Sequence, residues 1–257
     1  MNYSISDIDL LEQYYNTVAR NDFYTFRRLV SPRAKIGWFY KSITAELQAF
    51  YSDLIQGKRP KLIIQAPPQH GKSEAITDFI CWLSGKDPSK RIIYASFSER
   101  LGVRANLKMQ RILSTSRYKA IFPEIYLNAK NITTVPGQHL RNKEISEFVG
   151  HQGYFRNTTV QGSITGEGLD LGVIDDPLKG REQANSTTMR NKVWDWFTDD
   201  FFTRFSEDAG LLMILTRWHI DEEEDDFLTE MNNPAEAYKL DVKPKTSNAD
   251  KFDDLFN

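Results

Sequence analysis

Lys72 and Ser73, placed directly behind a lone glycine in the stretch LIIQAPPQHGKSE (residues 62–74), have the residue types and spacing that handle phosphate. In that order a lysine reaches the β- and γ-phosphates of a nucleotide, a hydroxyl ligates Mg²⁺, and Gly71 lets the backbone come close. The stretch reads as a Walker A loop. Its nucleotide-binding residues are Pro68, Gln69, His70, Gly71, Lys72, Ser73 and Glu74, and Ala66 stands where the usual pattern has its first glycine. The plainer alternative is a strand-to-helix turn carrying a solvated lysine. A second feature is the pair Asp175 and Asp176, which closes the run LDLGVIDDP just before a proline. Adjacent carboxylates at the end of an apolar strand have the form of a Walker B site. There Asp175 holds Mg²⁺, mainly through water, and Asp176 orients or deprotonates the attacking water. The alternative is a turn or helix-capping Asp pair. Third, Thr216 ends the apolar run GLLMILT, a strand tip that lies beside the γ-phosphate in many motor ATPases or is simply exposed.

These groups need strands and helices to hold them. Leu62, Ile63 and Ile64 form a buried strand that Pro67 and Pro68 end, because proline cannot donate to a ladder. From Ser73 the spacing of Ile76, Phe79, Ile80 and Leu83 is helical until Gly85, and a helix N-terminus offers unpaired N–H groups to an anion. RIIYASFS (residues 91–98) is a second buried strand, followed by a helix over residues 99–113 with Leu101, Ala105, Met109 and Ile112 on one face. Beside that face runs a stripe of Arg100, Arg104, Lys108 and Arg111. It has three readings: a solvated face, a track for DNA phosphates, or the source of an arginine finger for a neighbouring subunit's nucleotide. Residues 147–159 suit a hairpin, and Gly162, Gly166 and Gly168 mark a turn-rich loop. Trp194, Phe197, Phe201 and Phe205 recur at helical spacing and are expected to pack in the core. Core packing is likewise the expectation for Trp38, Phe39 and Tyr40, and no adenine pocket is assigned.

Alternating strands and helices predict an α/β fold with a largely parallel sheet flanked by helices. The chain has 257 residues with 40% hydrophobic and 12% aromatic content, enough for one large α/β domain or two small ones. Cys81, the one cysteine, lies among apolar helix residues, which excludes a disulfide framework and a zinc-finger pattern. No apolar run approaches the ~20 residues of a membrane span, and the N-terminus lacks a signal-peptide pattern, so no membrane association is expected. The net charge of −2 hides an asymmetry: residues 221–257 hold 12 Asp/Glu and 4 Lys/Arg, leaving 29 basic against 23 acidic groups in residues 1–220. The expected organisation is a helical lead-in over 1–60, a nucleotide-binding core over 61–220, and an acidic, loosely ordered tail over 221–257.

Taken in order, PPQHGKSE, YASFSERL, YKAIFPEIYL, YFRNTTVQGSITGEGLDLGVIDDPLKGREQANS, VWDWFTDDFFTRF and ILTRWH resemble the large terminase subunit of tailed bacteriophages, over about residues 37–220. The resemblance implies an ASCE-type P-loop ATPase fold and DNA-stimulated ATP hydrolysis with Mg²⁺, coupled to translocation of double-stranded DNA into a procapsid. It also implies a portal protein and a small terminase subunit as partners. The chain would be a monomer in dilute solution and a homo-oligomeric ring when assembled, in the host bacterial cytoplasm and transiently on the portal vertex. By motif, Lys72 and Ser73 take the phosphate and Mg²⁺ roles, Asp175 the metal role, Asp176 the catalytic role and Thr216 the coupling role. Two departures stand out. Many relatives have a basic residue where this chain has Gln69, which moves the search for a finger to Arg104 or Arg111. Relatives also continue beyond TRWH into an RNase H-like nuclease domain, whereas 38 residues follow His219 here, with no spaced carboxylate cluster, so no DNA cleavage is expected. Two other classes share the motifs: a helicase-like nucleic-acid translocase, and a non-hydrolysing nucleotide-binding assembly module from a truncated prophage gene.

Overall fold

The computed structural model of the chain describes residues 5–134, 137–216 and 237–241. Its frame is a seven-stranded sheet ordered β3-β4-β2-β5-β6-β1-β7. The strands are β1 (Lys61–Ala66), β2 (Arg91–Ser96), β3 (Ile145–Glu147), β4 (Tyr154–Thr159), β5 (Leu169–Asp175), β6 (Phe205–Thr216) and β7 (Ala237–Asp241). All neighbours pair in parallel except the short edge strand β3, which forms the expected hairpin with β4. Parallel pairing requires crossovers, and three of the described ones carry helices: α4 (Lys72–Lys86) after β1, α5 (Glu99–Ser114) and α6 (Ser116–Ile121) after β2, and α7 (Gly180–Ala184) and α8 (Thr187–Trp196) after β5. Three helices precede the sheet: α1 (Ile5–Asn21), α2 (Phe23–Val30) and α3 (Trp38–Ile55).

The strand sequences split between two cores with the period of a strand. Leu62 and Ile64 of β1, Tyr94 of β2, Val173 of β5 and Leu212 and Ile214 of β6 face one side, where α1 to α6 pack. Ile63, Ile93, Ile174, Leu211 and Met213 face the other, beneath Val193 and Trp196 of α8. The aromatic run closes this second core as expected. After α8 it continues as one π-helical turn (Phe197–Phe201) and a 3-10 turn (Phe202–Arg204). Gly172 is what admits it, since a Cβ there would lie 2.8 Å from the Phe201 ring and 2.9 Å from Phe205. Phe39 and Tyr40 are buried on α3, and Cys81 is buried on α4.

Two boundaries differ from the sequence reading. Strand β6 begins at Phe205, ahead of the apolar run, because a register shift against β5 carries the chain past exposed Glu207 and Asp208. The sheet also takes a strand, β7, from within residues 221–257, the segment read as an acidic tail. The remainder of that segment lies outside the described residues.

The helix behind the phosphate-type loop is anchored by charge as well as by apolar packing. Asp78 on α4 is buried, and its carboxylate receives Arg27 Nε of α2 at 3.4 Å, Ser31 Oγ at 3.1 Å and Lys108 Nζ of α5 at 3.1 Å. Arg27 also donates to Thr44 Oγ1 at 2.7 Å and lies 4.0 Å over the Tyr40 ring. Three helices are thereby tied to α4 with the buried Arg27 and Asp78 charges paired, the condition under which buried charge is tolerated.

Candidate active site

Between β1 and α4 the backbone turns through two left-handed residues, Gln69 at φ 63° and Gly71 at φ 76°. Nothing lies within 4 Å of a Cβ built on Gly71, so the glycine answers a conformational need in this structure and not a steric one. Gly71 caps α4 without a side-chain hydrogen bond, leaving the first turn's N–H groups to face a cleft.

Lys72 starts that helix and is only 6% exposed. Its ammonium donates to the Ala66 carbonyl, to the Pro67 carbonyl at 3.1 Å and to Thr216 Oγ1 at 3.2 Å. Burial lowers its pKa, and the opposing pull comes from Asp176 and then Asp175. Thr216 in turn donates to Asp176 Oδ2 at 2.7 Å. A lysine from the first turn of α4, a hydroxyl from the tip of β6 and a carboxylate from just past β5 therefore form one hydrogen-bonded chain. This is possible because β6 lies between β1 and β5.

The two aspartates differ. Asp176 takes φ 45°, donates its amide to the Ile214 carbonyl at 2.9 Å, and accepts from the Phe97 amide at 3.3 Å. Burial raises its pKa against the pull of Thr216 and Lys72. Asp175 is 2% exposed. Tyr94 donates its hydroxyl to Asp175 Oδ2, while Oδ1 has no hydrogen-bond partner among the described residues. Burial and then the Asp176 charge push the Asp175 carboxyl up to about 6, against the Tyr94 and Ser73 hydroxyls and Lys72.

That shift carries a measurable consequence. In metal-free protein the folded state keeps the Asp175 proton up to about pH 6, whereas the unfolded chain loses it near 3.8. Across that window the native state binds more protons, so this group lowers stability as pH rises. Wild type should therefore lose more thermal stability than Asp175→Asn between about pH 4 and about pH 7 in EDTA. Parallel melting profiles would place the carboxyl in water.

The cleft holds about 550 Å³ and is lined by all seven residues from Pro68 to Glu74, together with Asp176 and Thr216. Asp175 lies behind it. The sequence reading missed Phe97, Leu101, Leu178, Lys179 and Gly180 on its walls, and Tyr94 beneath it. Tyr94 carried a signal, since a hydroxyl in an otherwise apolar buried strand must find a partner. The wall residues carried none. Arg104 and Arg111 are exposed and line no part of this cleft. Arg111 Nε donates to the Leu107 carbonyl at 3.1 Å. The stripe is not a uniform row of cations, because Lys108 is turned onto Asp78 and onto the Glu74 carbonyl at 3.3 Å. Arg217, Trp218 and His219 lie outside the described residues. Among the described residues no group of three His, Cys, Asp or Glu is placed to hold a metal ion, and no helix is long and apolar enough to cross a membrane.

Residues 63–254 match the family described as terminase large subunit, T4likevirus-type, N-terminal. No curated protein matches the chain. Among solved structures, the HK97 bacteriophage large terminase is similar at 11% identity and a TM-score of 0.53, over 90% of this chain and 44% of that one. An ATPase-domain mutant of the Thermus phage P74-26 large terminase aligns at 13% identity and a TM-score of 0.37, over 63% of this chain and 62% of that one. The chain thus spans less than half of the HK97 protein. Its fold is the α/β P-loop NTPase fold of ASCE type, a largely parallel sheet flanked by helices with β6 inserted between β1 and β5.

Proposed function

Because the chain belongs to the T4-like-virus-type family of terminase large subunit N-terminal domains, we propose that it is the ATP-hydrolysing part of a viral DNA-packaging motor. Mg-ATP would bind in the cleft between residues 68–74 and the Asp pair, and its hydrolysis would drive double-stranded DNA into a procapsid. The observation that supports this reading is the hydrogen-bonded chain Lys72, Thr216, Asp176, in which a buried ammonium and a carboxylate meet on one strand-tip hydroxyl.

In this Walker A and Walker B reading, Lys72 holds the β- and γ-phosphates, and the uncapped first turn of α4 with the 68–74 backbone cradles them. Asp176 orients the attacking water and takes its proton toward Oδ1, the oxygen not held by Thr216. Thr216 couples the two. A Lys72 ammonium drawn onto phosphate leaves the Thr216 oxygen, and that loss is felt at the Asp176 carboxylate. The residues also fit a magnesium ion, since Asp175 presents a buried oxygen without a partner close to the Ser73 hydroxyl. When bound, Mg²⁺ would neutralise phosphate charge, with Ser73 and Asp175 holding it.

Tyr94 sets which Asp175 oxygen is free. Tyr94→Phe keeps the ring packed but releases Oδ2, and it should raise the Mg²⁺ concentration for half-maximal turnover about tenfold, the scale of outer-shell partners. Mg²⁺-dependent melting would shift with it, and an unchanged Mg²⁺ dependence would remove Tyr94 from this role.

Arg104 and Arg111, exposed and away from the cleft, are assigned to contacts made in assembly, either DNA phosphates or a neighbouring subunit's nucleotide. A portal protein, a small terminase subunit, a homo-oligomeric ring and the cytoplasm of an infected host complete the proposal. The deciding experiment is phosphate release with and without double-stranded DNA. Turnover raised by duplex DNA supports the motor. Nucleotide binding with no turnover in either case would leave a docking module, and strand displacement would favour a helicase.

A further inference from the structure

The walls of the cleft hold one cation that neither the loop nor the Asp pair accounts for. Lys179 follows Asp176 by three residues and lines the same cleft as Lys72, Ser73 and Thr216. Its position is set by backbone. Asp176 turns through φ 45°, Pro177 is buried, and Gly180 takes φ 67°. The Lys179 amide donates to Gln183 Oε1 at 2.8 Å, fixing the loop against α7. Its side chain is exposed, and among the described residues no hydrogen bond or ion pair holds its ammonium.

The charge balance of the cleft gives this position meaning. Of the groups lining it, Glu74 and Asp176 are acidic, while Lys72 and Lys179 are the lysines. Lys72 is committed to the loop side. Without Lys179 a polyanionic triphosphate would enter a cleft whose fixed charges are net negative, which Coulomb repulsion disfavours. Arg104 and Arg111 lie elsewhere, and Gln69 brings no charge.

We propose that Lys179 is the second phosphate-binding cation of this site, acting within its own chain on the phosphoryl group as it leaves ADP for water. The inference rests on the reading of the cleft as the Mg-ATP site. During the step the bond from the β,γ-bridging oxygen to the γ-phosphorus breaks and the water oxygen bonds to that phosphorus. The water proton passes to Asp176, and no bond forms to Lys179. Lys179 supplies positive charge where negative charge spreads over the equatorial oxygens, the part played by a finger residue in other phosphoryl-transfer sites. Because the contact is made in cis, it operates in dilute monomer as well as in a ring.

The test uses the full chain with Lys179→Ala and Lys179→Arg, titrated with Mg-ADP and with Mg-ADP plus aluminium fluoride, which imitates the phosphoryl group in flight. Wild type should prefer the fluoroaluminate complex. In Lys179→Ala, ADP affinity should stay within about twofold while that preference falls at least ~10-fold and turnover about 100-fold. Lys179→Arg should recover most of both, because the charge is kept. An alanine variant with the wild-type preference and turnover would overturn the role of Lys179 and leave the Mg-ATP site standing. A wild type that binds no nucleotide would overturn both.

Discussion

Lys72→Ala should abolish ATP turnover, by at least ~100-fold, the scale of removing one preorganised charge from a transition state. The variant should still unfold cooperatively. Lys72 is buried, but what it contributes there is polar: its ammonium satisfies the Ala66 and Pro67 carbonyls and the Thr216 oxygen. Truncation leaves acceptors that water from the adjoining cleft can reach, so the stability cost is about 1–3 kcal/mol, that of an unsatisfied buried group. The chemical loss is larger because no described lysine or arginine other than Lys179 lines the cleft. Phosphate release measured beside a urea melt separates the two effects. Unchanged hydrolysis in folded variant protein would remove the Walker A role from this loop.

Asp176→Asn should leave Mg-ATP binding in place and slow hydrolysis at least ~100-fold, in line with a lost general base. The substitution is unusually clean here. Asn is among the few residues that tolerate positive φ, so the 45° backbone survives. An amide oxygen can still accept from Thr216 as the carboxylate does at 2.7 Å. What disappears is the charge, together with the basic oxygen. Equilibrium binding of a fluorescent ATP analogue with and without Mg²⁺, followed by single-turnover hydrolysis, reads the two outcomes separately. Lost binding with normal turnover per bound ATP would exchange the roles assigned to Asp175 and Asp176. Asp175→Asn is the matched control, since it removes the buried oxygen expected to hold the metal.

The local geometry of neighbouring residues was legible from the sequence. Pro67 and Pro68 end a strand and the residues after Gly71 open a helix, both through backbone rules that act over a few residues, while the left-handed turn at Gly71 appeared only in the structure. Asp175 and Asp176 were legible for the same reason, as was the burial of Phe201, whose spacing announces its face. Thr216 was recognisable as a strand tip, but its neighbours were not, because only the insertion of β6 between β1 and β5 brings that tip to Lys72 and Asp176. Tyr94 meets Asp175 across two adjacent parallel strands 81 positions apart in the chain, a pairing that no local pattern encodes. Lys108 reads as one of four like cations until α5 packs on α4 and presents Asp78 to it, which removes it from the stripe. Lys179 reads as a loop lysine until the strand order brings it to the same cleft as residues 68–74. Local backbone and side-chain preferences determined which residues could do chemistry. Long-range strand pairing and helix packing, whose free energy is shared over the whole core, decided which of them meet.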